Sequence, residues 1–75
     1  MLVSKELGIV CNVLAISHLQ KGEIQTCTDL LKKAESYTKD GNERIRALTY
    51  NNYACLYRKT KELKKALSYL EKALD

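Results

Sequence analysis

Apolar residues recur along this chain at intervals of three and four. Tyr50, Tyr53, Ala54 and Tyr57 fall at i, i+3, i+4 and i+7, and Leu63, Ala66, Leu67, Leu70, Ala73 and Leu74 continue the rhythm. Earlier, Cys11, Leu14, Ala15 and His18 precede Ile24, Cys27, Leu31 and Ala34 with the same spacing. Such spacing gathers apolar groups on one side of an α-helix. Two places interrupt it. Gly22 accepts the left-handed conformation that ends a helix and turns the chain, and "TKDGNER" (residues 38–44) has Gly41 and Asn42 as turn residues. Asp40 stands three before Glu43 as a candidate capping box, and Ser4 is a candidate cap for the first helix. The pattern predicts four helices, over residues 5–21, 23–39, 43–60 and 62–74. The expected fold is all-α: one domain, 1–75, of two stacked antiparallel helix hairpins, 5–39 and 43–75.

The two hairpins read as one unit written twice. Sliding the sequence by 39 residues lays Gly8–Ser36 on Ala47–Asp75, with identical pairs Asn12/Asn51, Ala15/Ala54, Glu23/Glu62, Leu31/Leu70, Lys33/Lys72 and Ala34/Ala73. The matches fall on the periodic positions, as in a structural repeat. Small residues at Ala15, Cys27, Ala54 and Ala66 let helices approach closely, while larger ones fill the spaces between neighbours.

The second unit carries Tyr50-x2-Tyr53-Ala54-x2-Tyr57, then Ala66-x3-Leu70 and Ala73. The first carries Cys11-x2-Leu14-Ala15-x2-His18, then Gly22, Cys27-x3-Leu31 and Ala34. Over nearly its whole length the chain thereby resembles the tetratricopeptide repeat family, an α-solenoid of helix hairpins. It departs from the family pattern in His18 for the usual tyrosine, Lys61 for the usual glycine, a missing closing proline, and a period longer than 34. The extra length falls at residues 36–43, as a longer second helix or a wider connection. "NNYACLYRKTKELKKAL" is somewhat similar to the Asn-Asn-x-Ala units of kinesin-light-chain-type repeats.

The resemblance gives a meaning to the adjacent amides in "YNNYACLY" (residues 50–57). If Tyr50, Tyr53, Ala54 and Tyr57 face the interior, the stripe Leu48, Asn51, Asn52, Cys55, Arg58 and Lys59 faces elsewhere. In the family that stripe lines a concave groove, so the resemblance implies that Asn51 and Asn52 offer donors and acceptors to a peptide or helix, with Arg58 and Lys59 drawing its acidic groups. The alternative is that the amides are solvated or tie neighbouring helices together. The matching stripe of the first unit is Ile9, Asn12, Val13, Ile16, Leu19 and Gln20, mostly aliphatic, which is unusual for a surface left in water. Candidate partner-binding residues are therefore Asn12, Val13, Ile16, Asn51, Asn52, Cys55, Arg58 and Lys59.

Composition narrows the chemistry. There is no Pro, Trp or Phe and only three Gly among 75 residues, which favours helix over a turn-rich β fold. A chain of this length barely offsets its ordering entropy with one core, so a partner is expected. Cys11, Cys27 and Cys55, with His18 the only histidine, fit neither a zinc site nor a disulfide framework. They read as small buried hydrophobes in a reducing compartment. No secretory signal or membrane span is evident, and a cytoplasmic location is expected. No phosphate loop, catalytic triad or paired-acid motif appears, so neither enzyme activity nor a cofactor is expected. The net charge of +4 and the cluster Arg58, Lys59, Lys61, Lys64 and Lys65 favour acidic partners and fall short of a nucleic-acid signature.

The leading expectation is a non-catalytic protein-interaction module, a fragment of a longer scaffold or adaptor, whose partner is a peptide, a helix or a neighbouring repeat. The second is self-association into a homo-oligomer through Leu67, Leu70 and Leu74, which lack a following unit. Weak nucleic-acid binding is the third, disfavoured because the tyrosines already serve the helix interface.

Overall fold

The computed structural model describes residues 3–39 and 41–74. Its regular elements are four α-helices, α1 (Ser4–Gln20), α2 (Ile24–Ser36), α3 (Glu43–Lys59) and α4 (Leu63–Leu74), and there is no strand among the described residues. α1 packs on α2, α3 packs on α4, and α3 also meets both helices of the first pair. Among the described residues α4 packs on α3 alone.

Each pair is closed by the same turn. Gly22 (φ 80°) follows α1 and Lys61 (φ 64°) follows α3. After α1, the amide of Glu23 donates to His18 O at 2.9 Å and that of Gly22 to Leu19 O at 2.9 Å; after α3, Glu62 N reaches Tyr57 O at 2.7 Å and Lys61 N reaches Arg58 O at 3.1 Å. This is the Schellman arrangement, in which a left-handed residue lets the chain recapture the last helical carbonyls. Glycine accepts that conformation freely, and lysine does so only against its Cβ.

The helix starts differ from expectation. Ser4 does not cap α1: the Val3 carbonyl receives the amide of Leu7 at 3.0 Å, which makes Ser4 the first helical residue and Val3 the cap, and valine has no side-chain acceptor to bond there. Asp40 of the expected capping box lies outside the described residues, and Asn42, at the cap of α3, makes no side-chain cap bond. The extra length at 36–43 becomes a wider connection. α2 stops at Ser36, where Thr38 folds its hydroxyl back on Glu35 O at 3.0 Å and the Arg46 guanidinium takes Thr38 O at 3.0 Å.

The core is small-to-large packing among α1, α2 and α3: Ala15, Leu19, Cys27, Leu31, Tyr53 and Leu56 form one buried cluster. Ala54 and Ala66 are buried at the α3–α4 contact. Leu19, expected on the outer stripe of α1, belongs to the core instead, because α2 and α3 both reach the C-terminal end of α1. α4 buries only Ala66 and leaves Leu63, Leu67, Leu70 and Leu74 exposed, since a helix with one neighbour covers one side only. Tyrosines bridge that contact. The Tyr69 ring lies 4.7 Å from Tyr53 and 5.6 Å from Tyr57, both stacked, and 5.8 Å from Tyr50. Lys72 Nζ sits 4.7 Å above Tyr69 and Lys65 Nζ 5.3 Å above Tyr57, where the ring faces attract a cation.

Candidate binding cleft

α1 and α3 approach closely because Gly8 has no side chain. A Cβ built there would stand 3.1 Å from Ile45 Cγ2 and 3.6 Å from Thr38 Cγ2. That approach brings Asn12 of α1 against Thr49 and Asn52 of α3. Asn12 Nδ2 donates to Gly8 O and to Thr49 Oγ1, both at 2.9 Å. Asn52 Nδ2 in turn donates to Asn12 Oδ1 at 2.8 Å, and the Thr49 hydroxyl donates to Ile45 O at 2.8 Å. Asn12 is 1% exposed and Asn52 6%. Buried amides are tolerated when their hydrogen-bonding capacity is used within the protein, and among the described residues no buried side-chain nitrogen or oxygen lacks a partner.

Above this network lies a cleft of about 290 Å³ with Asn12 and Asn52 as floor and Val13, Ile16 and Leu48 as walls. Val13 is 64% exposed and Leu48 40%. The walls are branched aliphatic groups and the amides below are largely occupied with each other. What the cleft offers a ligand is mainly apolar surface, because both N–H groups of Asn12 are already donating and its carbonyl already accepts from Asn52.

Of the residues singled out in the sequence, Asn12, Val13, Ile16 and Asn52 meet in this cleft together with Leu48. Asn51 points away and is exposed, Cys55 is half-buried, and Arg58 and Lys59 are exposed on the last turn of α3. One residue of difference along α3 separates the neighbouring asparagines by about 100°, which sends Asn52 to the seam and Asn51 to solvent. Gly8 and Thr49 were not singled out as site residues. A glycine inside a helix pattern is the one signal that marks such a close approach. Leu67, Leu70 and Leu74 are exposed along α4.

Two further hollows lie elsewhere. One of about 460 Å³ is bordered by Lys32, Lys39, Arg46 and Tyr50, and another of about 300 Å³ by Ala47, Tyr50, Lys72 and Ala73. The first is larger than the α1–α3 cleft and gathers three cations, Lys32, Lys39 and Arg46, against the single carboxylate of Glu35, with Arg46 also bonded to Thr38 O.

Three ionisable groups near the core, Tyr53, Tyr69 and Cys27, are biased towards their neutral forms. Burial raises the Tyr53 hydroxyl well above the ordinary tyrosine range, with the Glu35 carboxylate beside it adding to the shift; that hydroxyl donates to Glu35 Oε1 at 3.3 Å. Tyr69 is raised by burial and then by Tyr57. Burial also raises the Cys27 thiol, with Cys55 contributing, and a thiol kept protonated is a poor nucleophile. The three cysteines are free. His18 binds Glu23 Oε1 through Nδ1 at 2.9 Å across the first turn, joining the two residues that the Schellman hydrogen bond already links. Among the described residues no group of three or more His, Cys, Asp or Glu could hold a metal ion, and no helix is long and apolar enough to cross a membrane. Comparison of the chain with protein-family models, with curated proteins and with solved structures found no match.

Proposed function

We propose that this chain is a non-catalytic protein-interaction module, two stacked helix hairpins of the α-solenoid kind, that binds the apolar side of a helix or extended peptide in the cleft between α1 and α3. The observation that carries the reading is the row of exposed aliphatic side chains, Val13 at 64% and Leu48 at 40%, above a pair of amides that hydrogen-bond each other. Exposed aliphatic groups gathered in a concavity favour apolar ligands. The resemblance to tetratricopeptide repeats supports the same face, with one change. The amides act as an internal tie, and recognition passes to Val13, Ile16 and Leu48, with Arg58 and Lys59, exposed on the last turn of α3, attracting acidic groups.

The test is selection of peptides from a random displayed library on the purified chain, followed by NMR mapping. Selected peptides are expected to shift the methyl signals of Val13, Ile16 and Leu48, and Val13→Glu is expected to abolish binding while the helical signal stays unchanged. Peptides that bind equally well to the Val13→Glu chain overturn the reading.

A second reading is self-association through α4, motivated by the exposure of Leu67, Leu70 and Leu74. Light scattering over a tenfold concentration range distinguishes the two: a constant monomer mass removes self-association, whereas a dimer that Leu70→Lys dissolves supports it.

A further inference from the structure

Ile45, Thr49, Asn52 and Leu56 are among the positions by which α3 sits on the first helix pair. Ile45 lies against Gly8, Thr49 and Asn52 bond the Asn12 amide, and Leu56 enters the cluster that holds Leu31. The 39-residue offset carries the receiving residues Gly8, Asn12 and Leu31, and the buried Ala34 beside them in α2, to Ala47, Asn51, Leu70 and Ala73. That offset is geometric as well as textual, since the turns after α1 and α3 close with the same pair of hydrogen bonds. The first four residues are buried; of the second four, Asn51 and Leu70 are exposed and Ala47 and Ala73 half-buried. Ala47 and Ala73 border the hollow of about 300 Å³, and Ala47 stands there at the position that Gly8 holds against Ile45.

We propose that this open side of α3 and α4 receives an amphipathic helix carrying a branched aliphatic residue, a hydroxyl, an amide and a leucine at the spacing of Ile45, Thr49, Asn52 and Leu56, with Asn51 as its hydrogen-bonding anchor. The proposal rests on the stacked-hairpin reading but concerns a different face from the α1–α3 cleft. An asparagine in water is satisfied by water; once a helix covers it, the amide needs protein partners. A hydroxyl and an amide three residues apart supply them, as Thr49 and Asn52 do for Asn12. The aliphatic residue fills the hollow at Ala47 and Ala73.

The free side of α1 in a second copy is not that helix. The offset takes Ile45, Thr49, Asn52 and Leu56 to Glu6, Val10, Val13 and Ser17. Val10 and Val13 would cover Asn51 with methyl groups and leave its amide without a protein partner, an unsatisfied polar burial in the middle of the interface. Asn51 therefore selects which helix stacks and opposes head-to-tail assembly of this chain with itself.

The test extends the full chain, after Asp75, by a second copy of its own residues 37–74, which keeps the 39-residue register. The added hairpin is expected to fold, to slow exchange of the Asn51 side-chain amide, and to raise the unfolding midpoint by at least about 5 °C, a shift that one additional interface of this kind supports. Asn51→Leu is expected to leave the parent chain within about 2 °C and to lower the extended chain by about 5 °C or more. Thr49→Val and Asn52→Val together, made only in the added copy, are expected to remove the same gain. An added segment that stays unfolded overturns the proposal. So does a folded one that leaves the Asn51 amide in fast exchange, or an Asn51→Leu effect equal in both chains.

Discussion

Asn51 and Asn52 are adjacent and chemically identical, so substituting each in turn isolates what burial and hydrogen bonding contribute. Asn52→Ala removes the bond to Asn12 Oδ1 at a site 6% exposed, and leaves that oxygen without its donor. One lost hydrogen bond costs about 0.5–1.5 kcal/mol and an unsatisfied buried acceptor about 1–3. Alanine returns a few tenths through helix propensity, which leaves a net loss of about 2 kcal/mol. Asn51→Ala removes only exposed contacts and is expected to stay within about 0.5 kcal/mol. Asn12→Ala breaks three bonds and is expected to cost about 3 kcal/mol. That is a large share of the ~4–11 kcal/mol expected for a chain of this size. Urea unfolding followed by circular dichroism reads these losses directly. In a double-mutant cycle, Asn12→Ala and Asn52→Ala are expected to couple by about 1 kcal/mol, the worth of their shared bond. Equal losses for Asn51→Ala and Asn52→Ala, or a coupling of zero, would refute the placement of the amide tie in the α1–α3 seam.

Lys61→Gly is expected to stabilise the chain by about 0.5–1 kcal/mol, because relief of a left-handed Cβ outweighs the added freedom of glycine when unfolded. Gly22→Ala at the matching turn is expected to cost about 1 kcal/mol; thermal midpoints that move the same way for both would contradict the shared turn geometry. Folded Tyr53 has its ionisation raised above the ordinary value, so the native state holds its proton longer than the unfolded chain. The stability this contributes is complete below about pH 10 and is lost as pH rises above it. Unfolding measured at pH 8, 9.5 and 11 should show that loss, more shallowly in Tyr53→Phe, and an identical slope in both proteins would remove Tyr53 as its source. Val13→Glu, at an exposed wall of the cleft, is expected to leave the unfolding midpoint within about 3 °C; a larger drop would mean that Val13 supports the core rather than lining a free surface.

The four helices and their turns were legible in the sequence because their causes are local. Periodic apolar positions, Gly22 and the "TKDGNER" break each act within a few residues, and the structure places helices within three residues of the expected limits. The turns after α1 and α3 match bond for bond, even at Lys61, where the hydrogen bonds of a Schellman motif hold a residue that is not glycine. What periodicity cannot report is which of two neighbouring polar residues meets another helix. Asn12 and Asn51 are equivalent in the repeat, yet Asn12 is buried and Asn51 exposed, because α3 lies against α1 and nothing among the described residues lies against the corresponding side of α3. Leu19 reverses expectation in the same manner, drawn into the core by α2 and α3, whereas Leu70, the counterpart of buried Leu31, is left outside by a helix with a single neighbour. The chain's own letters determine helices, turns and their repetition, since those follow from backbone sterics and short-range hydrogen bonds. Only the tertiary structure decides which amides become an internal tie and which aliphatic groups remain as surface, since burial depends on how many helices reach each side.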